Sequence, residues 1–273
     1  MKKILYLSFA AVMLSVLSSC NNDNTEPIDS EPLVKSYQVL ELSGHSPYAK
    51  TEYTPLYDDR GRVRKLVTET YTLKGNKQRL IKVEIRSFEY DDATHKAVVY
   101  STDCWEILEE RELYVMGPDT LTFSFDSDWK LQTITGGSAT ETYSYEGDYI
   151  SSFSVEAYDL VTEYSWNGGD LASITQDDGM FPFIATFNYG TQTNPFVGVP
   201  DPVFAESFIP DYYCWGLNGR TSAHLPISMQ DNFHGDITFS FDYKKDSSGR
   251  IIQVDILGDD TDSSYDKSII INY

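Results

Sequence analysis

The chain has little of what most often carries chemistry. It holds only four histidines, His45, His95, His224 and His234, and no two of them stand at i, i+3 or i+4. Zinc-type ligand spacing is therefore missing, and neither a metal nor a cofactor is expected. No Gly-x-Ser-x-Gly elbow is present to aim a serine nucleophile. With three cysteines, Cys20, Cys104 and Cys214, the chain cannot be a disulfide scaffold. Cys104 and Cys214 each precede a tryptophan, and sequence alone does not separate two thiols from one bridge. Basic residues are scarce as well, 21 against 42 acidic ones for a net charge of −21, which repels nucleic acid and anionic headgroups and excludes nucleic acid as a partner. The longest apolar segment, Ile4 to Leu17, is shorter than the roughly 20 residues of a spanning helix.

That segment follows Lys2 and Lys3 and ends in Leu17-Ser18-Ser19-Cys20, the layout of a signal peptide with small residues before its cleavage site. Leu-Ser-Ser-Cys looks like a bacterial lipobox. It implies a lipoprotein signal over 1–19, cleavage before Cys20 and diacylglycerol on the Cys20 thiol. The lipid bilayer is then a partner through acylated Cys20. The expected address is an outer-membrane lipoprotein facing the periplasm or the cell surface. Residues 20–32 are polar and acidic, too poor in apolar surface to fold, and form a flexible tether. Asp23 and Glu26 resemble the surface-export signal of Bacteroidota lipoproteins, whereas Asn21 and Asn22 depart from its acidic cluster.

Residues 33–273 carry one phrase several times over. It reads Phe123-Ser-Phe125-Asp-Ser-Asp-Trp-Lys-Leu131, Tyr143-Ser-Tyr145-Glu-Gly-Asp-Tyr-Ile150, Tyr164-Ser-Trp166-Asn-Gly-Gly-Asp-Leu171 and, near the end, Phe239-Ser-Phe241-Asp-Tyr243. Two aromatic residues two apart share a strand face, the serine lies on the other, and a polar turn follows. This predicts an all-β antiparallel meander of tandem hairpins in a single domain. The return strands pose a problem. Leu131 and Ile134, or Leu171 and Ile174, lie three apart and point to opposite faces unless a bulge intervenes. Cys104 to Val115 alternates like a strand, although Glu109 to Glu112 are good helix formers, and is assigned as a strand. Residues 190–235 break the rhythm with five prolines; Asp201 and Asp211 are potential N-caps, which predicts a short helical insert near 201–218.

The turn Tyr57-Asp58-Asp59-Arg60-Gly61-Arg62-Val63 resembles the tyrosine-aspartate repeats of large bacterial shell-forming proteins. A closer resemblance is to a family of Bacteroidota lipoproteins of unknown function described as having a porin-like fold. It is carried by Trp166-Asn-Gly-Gly-Asp-Leu171, Phe187-Asn-Tyr189 leading to Asn194-Pro195, the proline-rich insert, Leu225-Pro226 and the last hairpin through Gly249-Arg250. The resemblance implies many antiparallel strands in a strongly curved or barrel-like sheet and brings no catalytic residues.

Aromatic residues make up 14% of the chain, 20 of them tyrosine, and are the one feature suited to binding. Most build a β core. Tyr212, Tyr213 and Trp215 on the insert, with Trp166 at a hairpin turn, are the candidate ligand-binding residues, because loops on a rigid scaffold carry function more often than the scaffold does. Acidic residues such as Asp58, Asp59, Asp91, Asp92, Asp126 and Asp128 fall in turns, where aspartate bonds the local backbone. Gly258-Asp259-Asp260-Thr-Asp262 reads as an acidic hairpin tip sooner than a calcium loop. The expectation is a non-enzymatic, membrane-anchored β domain that binds a glycan, a small ligand or an envelope protein. A carboxylate-dependent glycan hydrolase and a purely structural envelope component are the alternatives.

Overall fold

The computed structural model describes residues 34–44, 46–107, 112–137, 139–177, 182–195, 219–232, 237–259 and 266–273. The lipoprotein signal, the tether and the insert with its predicted helix lie outside the described residues. So do Cys20, Tyr212, Tyr213 and Trp215.

Sixteen strands follow one another: β1 (Ser36–Ser43), β2 (Ser46–Tyr57), β3 (Val63–Lys74), β4 (Lys77–Asp91), β5 (Lys96–Ile107), β6 (Glu112–Phe125), β7 (Leu131–Thr135), β8 (Glu141–Glu146), β9 (Tyr149–Val155), β10 (Leu160–Asn167), β11 (Asp170–Asp177), β12 (Phe183–Thr193), β13 (His224–Asp231), β14 (Thr238–Lys245), β15 (Ile251–Gly258) and β16 (Lys267–Asn272). Each pairs antiparallel with its neighbours in sequence. β16 closes on β1 with Val39 opposite Ile269, giving a closed barrel with no free edge. The segment read as one strand from Cys104 to Val115 is instead the tip of a hairpin, with Ile107 opposite Glu112. Of its four helix formers, Glu112 opens β6 and the other three lie outside the described residues.

The return-strand problem is solved by a bulge, and the same step recurs at five hairpins, among others. Tyr57 faces Val63 but Leu56 faces Lys65; Phe125 faces Leu131 but Ser124 faces Thr133. Tyr145 and Ile150, Trp166 and Leu171, and Lys245 and Ile251 repeat the step. Arg64, Gln132, Ser151, Ala172 and Ile252 are thus extra residues, each of which restores the facing of the strand beyond it. Val63 with Leu66, Leu131 with Ile134, Ile150 with Phe153, Leu171 with Ile174 and Ile251 with Val254 are all buried.

The bulged strands also need an unusual partner. Strand β7 pairs with β8 only from Thr133 onward, so the carbonyl of Leu131 has no main-chain donor on that side. The hydroxyl of Tyr145 on β8 donates to it at 2.7 Å. Tyr90 does the same for Val63 at 3.0 Å, Tyr273 for Ile251 at 3.1 Å, and the Trp166 indole for Ile150 at 2.7 Å. In two copies of the phrase the second aromatic, Tyr145 or Trp166, is therefore a clasp on the preceding hairpin, as Tyr90 and Tyr273 are outside it, while Phe125 and Phe241 carry no donor. Burial pushes the hydroxyl pKa of Tyr90 upward, and burial together with the Asp126 charge does so for Tyr145.

Val99, Phe123, Leu131, Ile150, Leu171, Phe239, Ile251, Val254, Ile256 and Ile269 are each 0% exposed, and they belong to one apolar cluster drawn from around the barrel. In an open barrel of this strand number, inward side chains would meet water. Here the inward side chains are buried in one apolar cluster. The outward face is mostly polar: Ser144, Glu163, Ser165, Asn188, Ser240, Asp242 and Lys244 are exposed there, with Val161, Ile184, Ile227 and Ile252 as exposed apolar residues among them. Ser268 donates to Asp255 at 2.6 Å and Lys244 pairs with Asp255 at 2.8 Å, binding β14, β15 and β16 on that face. The inward face turns polar along the far part of β4 and β5. There Lys82 lies 3.2 Å from Glu84 and 3.4 Å from Asp103, and Arg86 pairs with Glu84.

Candidate functional site

In a closed meander every turn after an even-numbered strand lies at one end of the barrel. We call this end the turn rim; the described ends of the chain, Val34 and Tyr273, lie there too. Three of its turns share one construction. Asp58 accepts the amides of Arg60 and Arg62 at 3.0 and 2.8 Å, and Asp126 accepts those of Asp128 and Lys130, both at 2.9 Å. Asp246 accepts those of Ser248 and Arg250 at 2.9 and 3.0 Å. Asp91 likewise holds the amide of Ala93 and the hydroxyl of Thr94. Asp58, Asp91, Asp126 and Asp246 thus do the local work expected of turn aspartates, and Asp92 does something else. It reaches across the rim to Arg60 at 2.9 Å and Arg62 at 2.7 Å.

The last residue of each such turn is a cation laid over the clasp aromatic. Arg62 lies 4.2 Å from the Tyr90 ring centre, Lys130 lies 5.6 Å from that of Tyr145, and Arg250 lies 5.0 Å from that of Tyr273. Burial would raise the Asp58 carboxyl pKa, but hydrogen bonds from Arg62 and Arg60 and the Arg62 charge outweigh it and hold it low. Asp246 is held low by the Ser248 hydroxyl first and by Arg250 after it.

One turn departs from the pattern. Its fourth residue takes a left-handed backbone, and two copies meet this with glycine, Gly61 at φ +77° and Gly249 at φ +88°; the third has Trp129 at φ +62°. A side chain there costs on the order of 1 kcal/mol. The neighbouring turn carries a second such residue, His95 at φ +51°. The two rings meet at 5.2 Å, with the Arg62 guanidinium 5.0 Å from Trp129 and Tyr90 6.0 Å from it. Sequence reasoning passed over Trp129 because it stands in the turn of its phrase and not among the paired strand aromatics. Its signal was a tryptophan where the sister turns have glycine.

Trp166 lies on the same rim, half-buried. Its indole N–H is spent on Ile150 and its ring is 4.6 Å from that of Tyr149. The segment leaving the insert is laced over these turns: the amide of Arg220 donates to Asp148 at 2.8 Å and that of Ala223 to Gly169 at 2.9 Å. Gly219 is required there, since a Cβ would run into the Asp148 carbonyl. Ser222 is buried, accepting from the Leu171 amide at 3.1 Å and meeting the Tyr189 hydroxyl at 2.9 Å. His224 is oriented by Asp170, which takes its amide at 2.8 Å and stands 2.9 Å from its Nδ1. The rim thus brings Trp166 and the anchored exit of the insert together.

Among the described residues, no group of three or more His, Cys, Asp or Glu side chains is gathered to hold a metal. Asp259 of the acidic tip accepts the Thr238 amide at 3.0 Å, while Asp260 and Asp262 lie outside the described residues. Cys104 is an unbridged, buried thiol whose pKa burial pushes up. No described helix is long and apolar enough to cross a membrane.

No family model and no curated protein matches this chain. Solved structures do. A porin-like protein from Bacteroides uniformis aligns over 88% of this chain and 97% of its own, at 15% identity and a TM-score of 0.65. A porin-like protein from Bacteroides vulgatus aligns over 88% and 98%, at 12% identity and a TM-score of 0.39. The likeness to the first is one of fold: the barrel described above is similar to a fold already seen in a Bacteroides protein called porin-like.

Proposed function

We propose that this chain is a non-enzymatic envelope lipoprotein. Its barrel stands in water, a bilayer holds it through acylated Cys20, and the turn rim binds a ligand, with Trp166 and the insert residues Tyr212, Tyr213 and Trp215 as candidate contacts. One observation carries this reading: the polarity of the barrel is the reverse of a membrane pore. A transmembrane barrel turns an apolar band outward and keeps a polar lumen. Along β6 to β16 this one packs Phe123, Leu131, Ile150 and Phe239 inside and turns Ser165, Asn188, Asp242 and Lys244 outward beside isolated apolar residues such as Val161 and Ile184; charged side chains face inward along the far part of β4 and β5. Strand length does not decide the matter, because β2 to β6 run 12 to 15 residues and are long enough to span. The stiff turn bonds of Asp58, Asp126 and Asp246 support a scaffold role for the rim carboxylates over an acid–base one.

The test has three arms. Residues 33–273 produced without detergent should be monodisperse and β-rich and give no conductance in planar bilayers; folding only in micelles or bilayers would sink the reading. Cys20→Ala should release the full chain from washed membranes, and retention there would refute the anchor. A polysaccharide panel read for both binding and released sugar tests the rest, and sugar release would favour a hydrolase.

A further inference from the structure

We infer that Trp129, His95 and Arg62 form a stacking subsite for a neutral glycan. The inference rests on the reading of the rim as a binding face and adds a site and a ligand class to it. The starting point is the substitution pattern of the molecule's own repeats. Gly61 and Gly249 close the same turn with no side chain, so the turn does not need one. Trp129 occupies that position at φ +62° and touches His95, itself at φ +51° on the adjacent turn. Strained non-glycine residues held by their surroundings gather at functional sites. Here two of them place their rings side by side on an accessible rim, both half-buried.

The surroundings select the ligand. Arg62 stands beside the Trp129 ring and disfavours a cation, and the net charge of −21 disfavours an anion or a nucleic acid. Asp92 and Asp58 hold Arg62 from both sides at 2.7 and 2.8 Å, which fixes its guanidinium against the Tyr90 and Trp129 rings. An aromatic surface beside fixed carboxylate and guanidinium edges fits a sugar ring: its C–H face stacks while its hydroxyls bond to the charged edges.

The experiment uses full-length protein and measures affinity for mannan, xyloglucan and starch, with thermal melts of every variant. Trp129→Gly and His95→Gly install the residue that a left-handed backbone prefers. We expect Trp129→Gly to lose at least about tenfold in affinity and His95→Gly about threefold; Trp129 also packs against Phe125 and the core, so its removal lowers the melting temperature, whereas His95→Gly should hold it within a few degrees. Trp129→Phe should retain most of the binding. Unchanged affinity in Trp129→Gly, with the wild type binding, overturns the subsite and leaves the rim reading standing. If Trp129→Gly unfolds, His95→Gly decides alone, and undiminished affinity there overturns the subsite. A wild type that binds none of the three glycans overturns the ligand class, while the membrane fractionation of Cys20→Ala reports separately on the lipoprotein reading.

Discussion

Replacing Tyr145 with phenylalanine isolates the clasp that follows from the bulge. The ring stays and only the hydroxyl that donates to the Leu131 carbonyl at 2.7 Å is lost. That carbonyl has no ladder partner on the same side, since β7 and β8 pair only from Thr133. A part-buried acceptor left without its donor costs about 1–2 kcal/mol, roughly a tenfold change in the folding equilibrium. For a domain of this size that is a fall of about 3–6 °C in melting temperature. Urea melts should show a lower midpoint at an unchanged slope, because the surface exposed on unfolding is the same. Tyr90→Phe and Tyr273→Phe serve different hairpins, so their effects should add to that of Tyr145→Phe. There is also an alkaline signature. The raised Tyr145 pKa contributes stability that is fully present below about pH 10, the unfolded value, and lost as pH rises through the folded one. Tyr145→Phe should flatten that part of the alkaline limb. A phenylalanine variant as stable as the wild type, with the same alkaline limb, would refute the clasp.

Other outcomes are expected on the same footing. Ile150→Ala removes a side chain 0% exposed at the first position after a bulged turn and should cost about 2–5 kcal/mol by chemical denaturation; a loss under about 1 kcal/mol would mean the interior is not packed. Asp58→Asn should weaken the first turn by about 1–2 kcal/mol at neutral pH. The lowered Asp58 pKa stabilises the fold above the unfolded value near 3.9 and ceases to do so as pH falls through the lower folded value. The variant should therefore converge on the wild type in acid melts as the pH falls through the folded value, and a constant gap at all pH values would argue against the Asp58–Arg62 account.

Much of the barrel could be read in the sequence. The aromatic-serine-aromatic phrase specified hairpins because a period of two puts both aromatics on one face, and Phe123, Tyr143 and Tyr164 are buried where that alternation put them. The turns at Asp58 and Asp246 were legible from aspartate and glycine, since both act through local backbone geometry. What needed the tertiary structure was anything set by a partner distant in sequence. The bulges at Gln132 and Ala172 appear only when two strands are laid side by side, so the face of Ile134 and Ile174 was undecided until then. Closure of β16 on β1 joins residues more than two hundred positions apart and leaves no mark on either segment. The subsite at Trp129 shows the same division. The tryptophan is visible in the sequence, but its left-handed backbone and its contact with His95 exist only because two turns, more than thirty residues apart, end on the same rim.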